Sequence, residues 1–220
     1  MLYTEKPYRG VAMEGFIASW YAKLTRGDLG EFRSCARSIA ERLPSDTHVL
    51  EIAPGPGYLS IELAKLGAYR IIGLDISASF VRIATGNAEK AGVEVRFQRG
   101  DAHALPFPAD SFDFVICRAA LKNFRDPVKA LKEMHRVLES GGAALIIDMR
   151  KDAADSAVNA YVDKMNTSRI NRLITRWTFN HVLKKRAYTR TEIAEMVAGT
   201  GFESCAIGEN GLGMEISLRK

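Results

Sequence analysis

A glycine-rich turn and a carboxylate near the middle of the chain have the spacing of a nucleoside-binding site. An apolar strand over 48–53 runs into the turn Ala53–Gly57. A second apolar strand ends at Asp75, about 20 residues after the turn. A βαβ unit of this kind places its turn and its carboxylate against an adenosine-containing cofactor. The alternative is that Asp75 is a strand-end turn residue, which is not expected to be part of the core.

The details of the turn distinguish between the cofactors that could bind there. A dinucleotide site has Gly-x-Gly-x-x-Gly, whose backbone N–H groups face a pyrophosphate. Here Ser60 stands in place of the third glycine, and Pro56 removes one N–H donor. A cofactor without a phosphate, with a ribose and a charged amino-acid tail, suits this turn better, and S-adenosylmethionine (SAM) fits that description.

The composition and length are those of an ordinary globular protein. The 220 residues are 47% hydrophobic and 26% charged, enough for one substantial core. No apolar run reaches the ~20 residues of a membrane span, and Met1–Arg9 lacks the apolar core of a signal peptide. Three distant cysteines, Cys35, Cys117 and Cys205, show no metal-ligand spacing. We therefore expect a cytoplasmic protein without a metal site.

Alternating strand and helix patterns predict an α/β fold with a doubly wound sheet of about seven strands, mostly parallel with an antiparallel last strand. The chain is expected to form a single domain with N-terminal helices over 1–44, a cofactor-binding core over 45–150, a helical cap over 151–188 and a closing helix and hairpin over 189–220. The predicted strands are 48–53, 70–75, 93–98, 112–117, 143–148, 202–207 and 212–218. Thr189 and Glu192 have the spacing of a helix capping box.

In such sheets ligands bind beyond the carboxyl ends of the strands. The residues to inspect therefore directly follow predicted strands: Ala53–Gly57, Asp75, Asp101, Arg118–Asn123 and Asp148–Arg150.

Taken together, four blocks between residues 45 and 150 resemble the class I SAM-dependent methyltransferases, in particular the type 11 branch that includes ubiquinone and menaquinone enzymes. The blocks are Glu51–Gly57, Gly73–Ser77, Gly100–Phe107, and Ser111–Arg118 with Arg136–Leu138 and Gly141-Gly142 behind it. This resemblance implies a Rossmann-like fold, SAM as cofactor, and methyl transfer to a small-molecule acceptor.

The resemblance also implies which residues hold the cofactor. Asp75 would accept hydrogen bonds from the ribose hydroxyls, and Asp101 would accept one from the adenine amino group. Glu51 would lie behind the turn, holding its N–H groups or the cofactor's ammonium through water. The complete implied set is Glu51, Ala53, Pro54, Gly55, Gly57, Tyr58, Asp75, Ile76, Asp101, Ala102 and Arg118.

The sequence departs from the family pattern at two places. The first glycine of the usual Gly-x-Gly-x-Gly is Ala53, which should be tolerated if the backbone angle there does not require glycine. The pair after strand four is Lys122-Asn123, where relatives often have His-His. An acid–base role for that histidine therefore does not carry over to this chain.

Three residues are candidates for the chemistry itself. Arg118 could bind a carboxylate of the cofactor or the acceptor, or be a surface charge. Asp148 could orient or deprotonate a nucleophile, or cap the following segment. His181 lies in the cap and is of the residue type that titrates near neutrality, although a structural role is favoured over a catalytic one. Within the cap, Leu173 and Trp177 are expected to pack against the body, and changes there to alter acceptor use.

Two other functions remain open at this point. The chain could methylate nucleic acid, because it has a net charge of +5 and a pI of about 9.1. However, strand four ends in Cys117–Ala120 rather than the Pro-Pro-aromatic run of base-methylating enzymes. The chain could also bind SAM without turnover. We expect a small-molecule acceptor, no membrane span, no nucleic-acid partner, and a monomer or homodimer.

SAM and S-adenosylhomocysteine should raise the melting temperature of the protein, because a ligand that binds only the native state stabilises it. NAD and NADP at the same concentration should not. Thermal unfolding followed by fluorescence measures both shifts. Stabilisation by NAD with none by SAM would contradict the cofactor assignment.

Overall fold

The structure is a computed structural model that describes residues 8–165 and 169–220. Its helices are α1 Gly15–Thr25, α2 Leu29–Ala40, α3 Tyr58–Ala64, α4 Ala78–Ala91, α5 Pro127–Val137, α6 Asp155–Lys164, α7 Arg169–Thr178, α8 Lys184–Arg186 and α9 Arg190–Ala198. Its strands are β1 His48–Ile52, β2 Arg70–Asp75, β3 Arg96–Arg99, β4 Phe112–Arg118, β5 Leu138–Met149, β6 Ser204–Asn210 and β7 Gly213–Arg219. No helix in the described ranges is long and apolar enough to cross a bilayer.

All seven strands form one sheet in the order β3-β2-β1-β4-β5-β7-β6. The strands β1 to β5 pair in parallel, whereas β7 is antiparallel to both of its neighbours. The chain builds outward from β1 to β3 and then returns to β4 on the other side of β1. The predicted fold class is confirmed, and the switch point lies between β1 and β4, where such sheets bind ligands.

The period of two along each strand decides which side chains share a face of the sheet. Leu50 and Ile52 face one apolar cluster with α5 and α9, whereas Val49 faces a second cluster with α2 and α3. By the same alternation, Glu51 and Arg118 point to the side of α2 and α3. Asp148 points to the side of α5 and α9. Arg118 and Asp148 therefore lie on neighbouring strands but on opposite faces of the sheet.

Several element boundaries differ from the sequence prediction. Strand β5 begins at Leu138 rather than 143, because Gly141 and Gly142 pair with Lys220 instead of ending the element. A side chain at Gly142 would lie 2.8 Å from the Glu139 carbonyl, so glycine lets the strand continue. The final hairpin turns at Gly211-Leu212, so β7 begins at Gly213 rather than at the predicted residue 212. The Thr189–Glu192 capping box is confirmed.

The helical cap contains α6, α7, a π-helical turn over Phe179–Leu183, and α8. Residues 166–168 of the predicted cap, and residues 1–7 of the N-terminal stretch, lie outside the described part of the chain. One turn of π-helix inside a helical segment often marks a functional region. The two N-terminal helices lie within the predicted range 1–44, and a 3₁₀ turn at Arg26–Asp28 joins them.

Two alanines at the switch point have left-handed backbone angles. Ala53, directly after β1, has a φ of +56°, and Ala119, directly after β4, has a φ of +57°. Ala53 was expected to be tolerated if its backbone angle did not favour glycine, and that expectation is wrong because the angle does favour glycine. A left-handed L-residue costs roughly 1–2 kcal/mol, and such strain is concentrated at functional sites.

Replacing Ala119 with glycine should stabilise the protein. Ala119 is exposed, so little packing is lost. Relief of the ~1–2 kcal/mol left-handed cost exceeds the ~0.5–1 kcal/mol entropy that glycine adds to the unfolded chain. We expect the free energy of unfolding to rise by about 0.5 kcal/mol in a denaturant titration.

The matched control is Ala160→Gly, an exposed position inside α6 with ordinary helical geometry. It should lose about 1 kcal/mol. If both variants lose the same stability, the backbone strain at Ala119 is not real.

Candidate active site

The backbone of the turn between β1 and α3 borders an open space next to Gly55. Gly55 has a φ of +55°, and a Cβ built on it would meet nothing within 4 Å. Gly57 has a φ of +79°, and a Cβ there would lie 2.6 Å from the ring of Phe97. Gly57 is therefore needed for packing, whereas Gly55 leaves an open approach to the main chain. That combination suits the tail of a cofactor lying against the turn.

Asp75 joins the turn to the end of β2. One carboxylate oxygen accepts from the Gly55 N–H at 3.0 Å, and the other accepts from the Ser77 N–H at 2.9 Å. The residue is buried, which raises the pKa of the carboxyl, while these two hydrogen bonds oppose the shift. A carboxylate has about four acceptor positions, so two remain for ribose hydroxyls. Asp75 thus has the strand-end turn role alongside its proposed binding role, but it is buried and also holds the turn at Gly55, which the sequence did not predict.

Glu51 lies behind the turn, on the face of the sheet that the alternation of side chains along β1 predicts. Its carboxylate accepts from the backbone N–H of Ser60 at 3.0 Å and from the Ser60 hydroxyl. Burial raises the pKa of Glu51 to about 7, with the Ser60 hydrogen bonds working in the opposite direction. Ser60, which replaces the third glycine of the dinucleotide motif, is therefore the partner of this carboxylate in the first turn of α3.

Asp101 and His103 form a second polar group beyond β3. An oxygen of Asp101 accepts from the His103 N–H at 2.9 Å and lies 2.6 Å from Nδ1 of that ring. The two residues line an open cleft of about 510 Å³ together with Arg125–Pro127 and Lys129. Ala102 is buried beside them. Ile76 is half-buried between this group and Asp75, and its carbonyl accepts from Arg99.

A segment before α1, the N-terminal strap of residues 8–14, crosses the strand ends. At one end, the Arg9 N–H donates to the Asn123 carbonyl at 2.7 Å. At the other, the Glu14 carboxylate accepts from the N–H groups of Ala78 and Ser79, each at 3.0 Å. Glu14 therefore caps α4 from a distance of 64 residues in sequence. Sequence reasoning missed this contact, because no local pattern indicates which helix the strap reaches.

Helix α1 continues the strap and covers the glycine-rich turn. The Tyr58 hydroxyl donates to the Ala22 carbonyl at 2.8 Å, so the first residue of α3 holds α1 in place. Tyr21 lies on the inner side, edge-on to Phe80 with ring centroids 5.8 Å apart. Burial raises the pKa of Tyr21, and the charges of Arg118, Asp148 and Asp75 also act on it. Tyr21 is thus electrostatically coupled to charged residues at the ends of β2, β4 and β5.

Arg118 lies at the end of β4 against α2. Its guanidinium carbon is 4.4 Å from the centre of the Phe32 ring, a cation–π contact. One of its nitrogens is 3.5 Å from a carboxylate oxygen of Glu31. Tyr161 of the cap is also within its electrostatic reach, and burial raises the pKa of Tyr161 to about 12. Arg118 therefore interacts electrostatically with Tyr21 of α1 and with Tyr161 of the cap.

Asp148 is held by a buried lysine that sequence reasoning mentioned only as a departure from the family. Nζ of Lys122 lies 2.7 Å from Oδ1 of Asp148 and donates to the Ala119 carbonyl at 2.6 Å. The Lys122 and Met149 N–H groups also donate to the carboxylate. Both side chains are buried. This geometry favours a structural role, in which Asp148 neutralises Lys122 and holds the loop after β4.

His181 and Trp177 are exposed on the cap. Their rings stack with centroids 5.4 Å apart, and Nδ1 of His181 is 3.1 Å from the Trp177 carbonyl. Leu173 is exposed as well. The prediction that Leu173 and Trp177 pack against the body is wrong, because the apolar stripe of α7 faces outward. The inward aromatic groups of the cap are instead Tyr161 and Phe179, whose rings lie 5.6 Å apart.

Comparisons with known proteins agree with the fold and the site. Residues 50–146 match the family model described as a methyltransferase domain. The chain is 36% identical over 143 residues to the methyltransferase YcgJ of Bacillus subtilis, covering 64% of this chain and 54% of that protein. It is 39% identical over 138 residues to the demethylmenaquinone methyltransferase of Thermus thermophilus, covering 60% and 62%. The chain thus spans little more than half the length of these curated relatives.

Among solved structures, a candidate SAM-dependent methyltransferase of Methanococcus maripaludis superimposes with a TM-score of 0.78. That similarity covers 96% of this chain and 95% of the other, at 22% sequence identity. This similarity shows that the two proteins share the same fold. Residues 50–146 match a methyltransferase domain, and the fold is that of a SAM-dependent methyltransferase.

The cofactor of this class is SAM, and the residues present fit it. Gly55 leaves open space at the turn, and Asp75 keeps acceptor capacity beside it. Asp101 lies at the rim of an open cleft on the same sheet edge. These observations match the tail, the ribose and the adenine of the cofactor.

Asp75→Ala should weaken SAM binding by about 1–3 kcal/mol, through lost charge-assisted hydrogen bonds. Unlike the expectation from sequence, it should also lower the melting temperature, because Gly55 and Ser77 lose their acceptor. Titration calorimetry and thermal unfolding measure the two effects.

The control is Ser77→Ala, which removes the side-chain cap of α4 at Phe80 N–H and should cost about 1 kcal/mol of stability. It leaves the carboxylate in place. If Ser77→Ala weakens SAM binding as much as Asp75→Ala, the effect comes from lost stability and the ribose role is wrong.

Proposed function

We propose that this protein transfers the methyl group of SAM to a small-molecule acceptor by in-line displacement. The observation that carries the proposal is that Tyr21, Arg118 and Tyr161, from α1, β4 and the cap, interact electrostatically with one another. Two of them lie near Tyr58, the residue that follows the turn. Arg118 contacts the ring of Phe32, which is 5.6 Å from the ring of Tyr58. Ala22, next to Tyr21, accepts from the Tyr58 hydroxyl. That arrangement is suited to holding a second, small molecule near the tail.

Each chain residue has a defined task in this proposal. Asp75 holds the ribose, Asp101 accepts from the adenine amino group, and the turn at Gly55 receives the tail. When bound, SAM supplies an activated methyl group with a good leaving group. The remaining work is alignment, which can contribute ~7–11 kcal/mol to lowering a barrier.

The acceptor side is aromatic and polar. Both hydroxyls can donate hydrogen bonds at pH 7, because the ordinary pKa of tyrosine is near 10 and burial raises the pKa of Tyr21 and Tyr161 further. Arg118 adds a cation for an oxygen atom of the acceptor. We assign Asp148 to holding Lys122 rather than to deprotonation. His181 stands outside this group, because its ring stacks on the exposed Trp177.

The relatives named as demethylmenaquinone methyltransferases support an acceptor that contains a ring. The aromatic side chains on the acceptor side suit stacking against such a ring. The oxygen, nitrogen, sulfur or carbon atom that receives the methyl group follows from the acceptor.

The function is tested with methyl-labelled SAM and a metabolite extract. Label should appear in the small-molecule fraction and require the intact protein. Label in RNA would instead support a nucleic-acid methyltransferase. Binding of SAM with no transfer to any fraction would indicate a SAM-binding protein without turnover, and would overturn the proposal.

In the same assay, Tyr161→Ala should reduce transfer about tenfold or more, since it removes a large half-buried aromatic group worth at least ~1.4 kcal/mol. SAM affinity should change less than about twofold, because Tyr161 lies on the acceptor side. Trp177→Ala is the matched control from the same cap and should leave both quantities unchanged. Equal losses of SAM affinity and transfer in Tyr161→Ala would place Tyr161 in the cofactor site instead.

A further inference from the structure

Two helices of the protein expose apolar stripes to solvent. On α1, the stripe has spacing i, i+1, i+4 and i+8, and consists of Phe16, Ile17, Trp20 and Leu24. On α7, it has spacing i, i+1 and i+4, and consists of Leu173, Ile174 and Trp177. Phe16 is 84% exposed and Trp177 is 59% exposed. Single exposed apolar residues are common, but contiguous stripes of large side chains mark an interaction surface.

Both stripes belong to elements that cover the same edge of the sheet. On α1, the buried residues Ala18 and Ala22 face inward, so the stripe is on the outer side. Helix α7 packs on α6, with Arg176 2.8 Å from Asp163. Tyr21 of α1 and Tyr161 of α6 are both within electrostatic reach of Arg118, at the end of β4. Contacts place these elements as well, because α1 and its strap are held to the N-termini of α3 and α4, and α6 follows the carboxyl end of β5. The stripes therefore lie on the layer that covers the carboxyl ends of the strands.

The excess positive charge of the chain is concentrated beside one of these stripes. Residues 169–186 contain six Lys or Arg and no Asp or Glu. The other 25 basic residues of the chain face 26 acidic ones. On α7 itself, Arg169, Arg172 and Arg176 alternate with the apolar side chains. Lys23 and Arg26 similarly border the stripe of α1, and both are exposed.

This combination of chemistry favours a lipid surface over other partners. A helix that lies in a bilayer interface has bulky apolar residues, often Trp, on one side and Lys or Arg on the other. Anionic headgroups attract such cations at short range. A second copy of the chain would bring two identical basic segments together, which repels. RNA would pair with the arginines but leave Leu173 and Ile174 without an apolar partner.

We propose that the outer faces of α1 and α7 form a docking surface for an anionic lipid bilayer. The docking surface is defined by the seven residues of the two stripes and the basic residues that border them. The apolar side chains enter the interface, and the Lys and Arg residues contact the headgroups. The protein would thereby lie on the membrane rather than cross it.

Co-sedimentation with vesicles tests the proposal directly, without any need for methyl transfer. The full-length protein should bind vesicles of phosphatidylglycerol and phosphatidylcholine. It should bind pure phosphatidylcholine at least about tenfold more weakly. Raising the salt concentration should release it, because the contacts with anionic headgroups are screened.

Matched variants separate the apolar and the charged contributions. Trp20→Ser and Trp177→Ser should each weaken vesicle binding about tenfold, as expected for loss of a large apolar side chain from the interface. Leu66→Ser is the control, since Leu66 is an exposed apolar residue on a different surface. Arg169→Gln with Lys185→Gln should also weaken binding, whereas Lys90→Gln with Lys132→Gln, which are exposed on α4 and α5, should not.

Four outcomes would overturn the proposal. The first is no binding to anionic vesicles. The second is equal binding to neutral and anionic vesicles at all salt concentrations. The third is a Leu66→Ser effect as large as that of the tryptophan variants. The fourth is a protein that does not bind vesicles but does one of two other things. It self-associates, as measured by light scattering, or it binds RNA and the tryptophan variants abolish that binding.

Discussion

The carboxylate of Asp75 is the contact on which the candidate site depends. It accepts one backbone N–H from the turn after β1 and one from the segment after β2, and so ties two adjacent strand ends together. Because it is buried, losing either hydrogen bond would leave a polar group without compensation. The backbone that faces the cofactor is therefore shaped by the same side chain that is proposed to bind the ribose. Binding and local stability are coupled at this residue.

A second layer of contacts closes the site from the N-terminal side. Glu14 caps α4 just beyond Asp75, and the Tyr58 hydroxyl holds α1 through the Ala22 carbonyl. The inner side of α1 thus faces the proposed site, while its outer side carries an apolar stripe. One helix connects the candidate active site with the proposed membrane surface, because its two faces have different partners.

Lys122 and Asp148 show why a residue type is a weak guide to its role. As a strand-end carboxylate, Asp148 had the position of a catalytic base. A buried lysine 2.7 Å away changes that interpretation, because the carboxylate is already engaged by one ammonium and two backbone N–H groups. Where relatives often have a histidine, this chain has the lysine that holds the loop after β4. The left-handed angle of Ala119 lies in that same loop.

The sequence by itself determined the sheet, its parallel strands and antiparallel end, and the gathering of Gly55, Asp75 and Asp101 at one edge. These features follow from local periodicity and from the rule that parallel strands end together. The tertiary structure alone decided the partners of Glu14 and Lys122, the inward direction of Tyr21 and Tyr161, and the exposure of Trp177. A helical pattern shows that a stripe is apolar, but which way it faces depends on packing between elements that are distant in sequence.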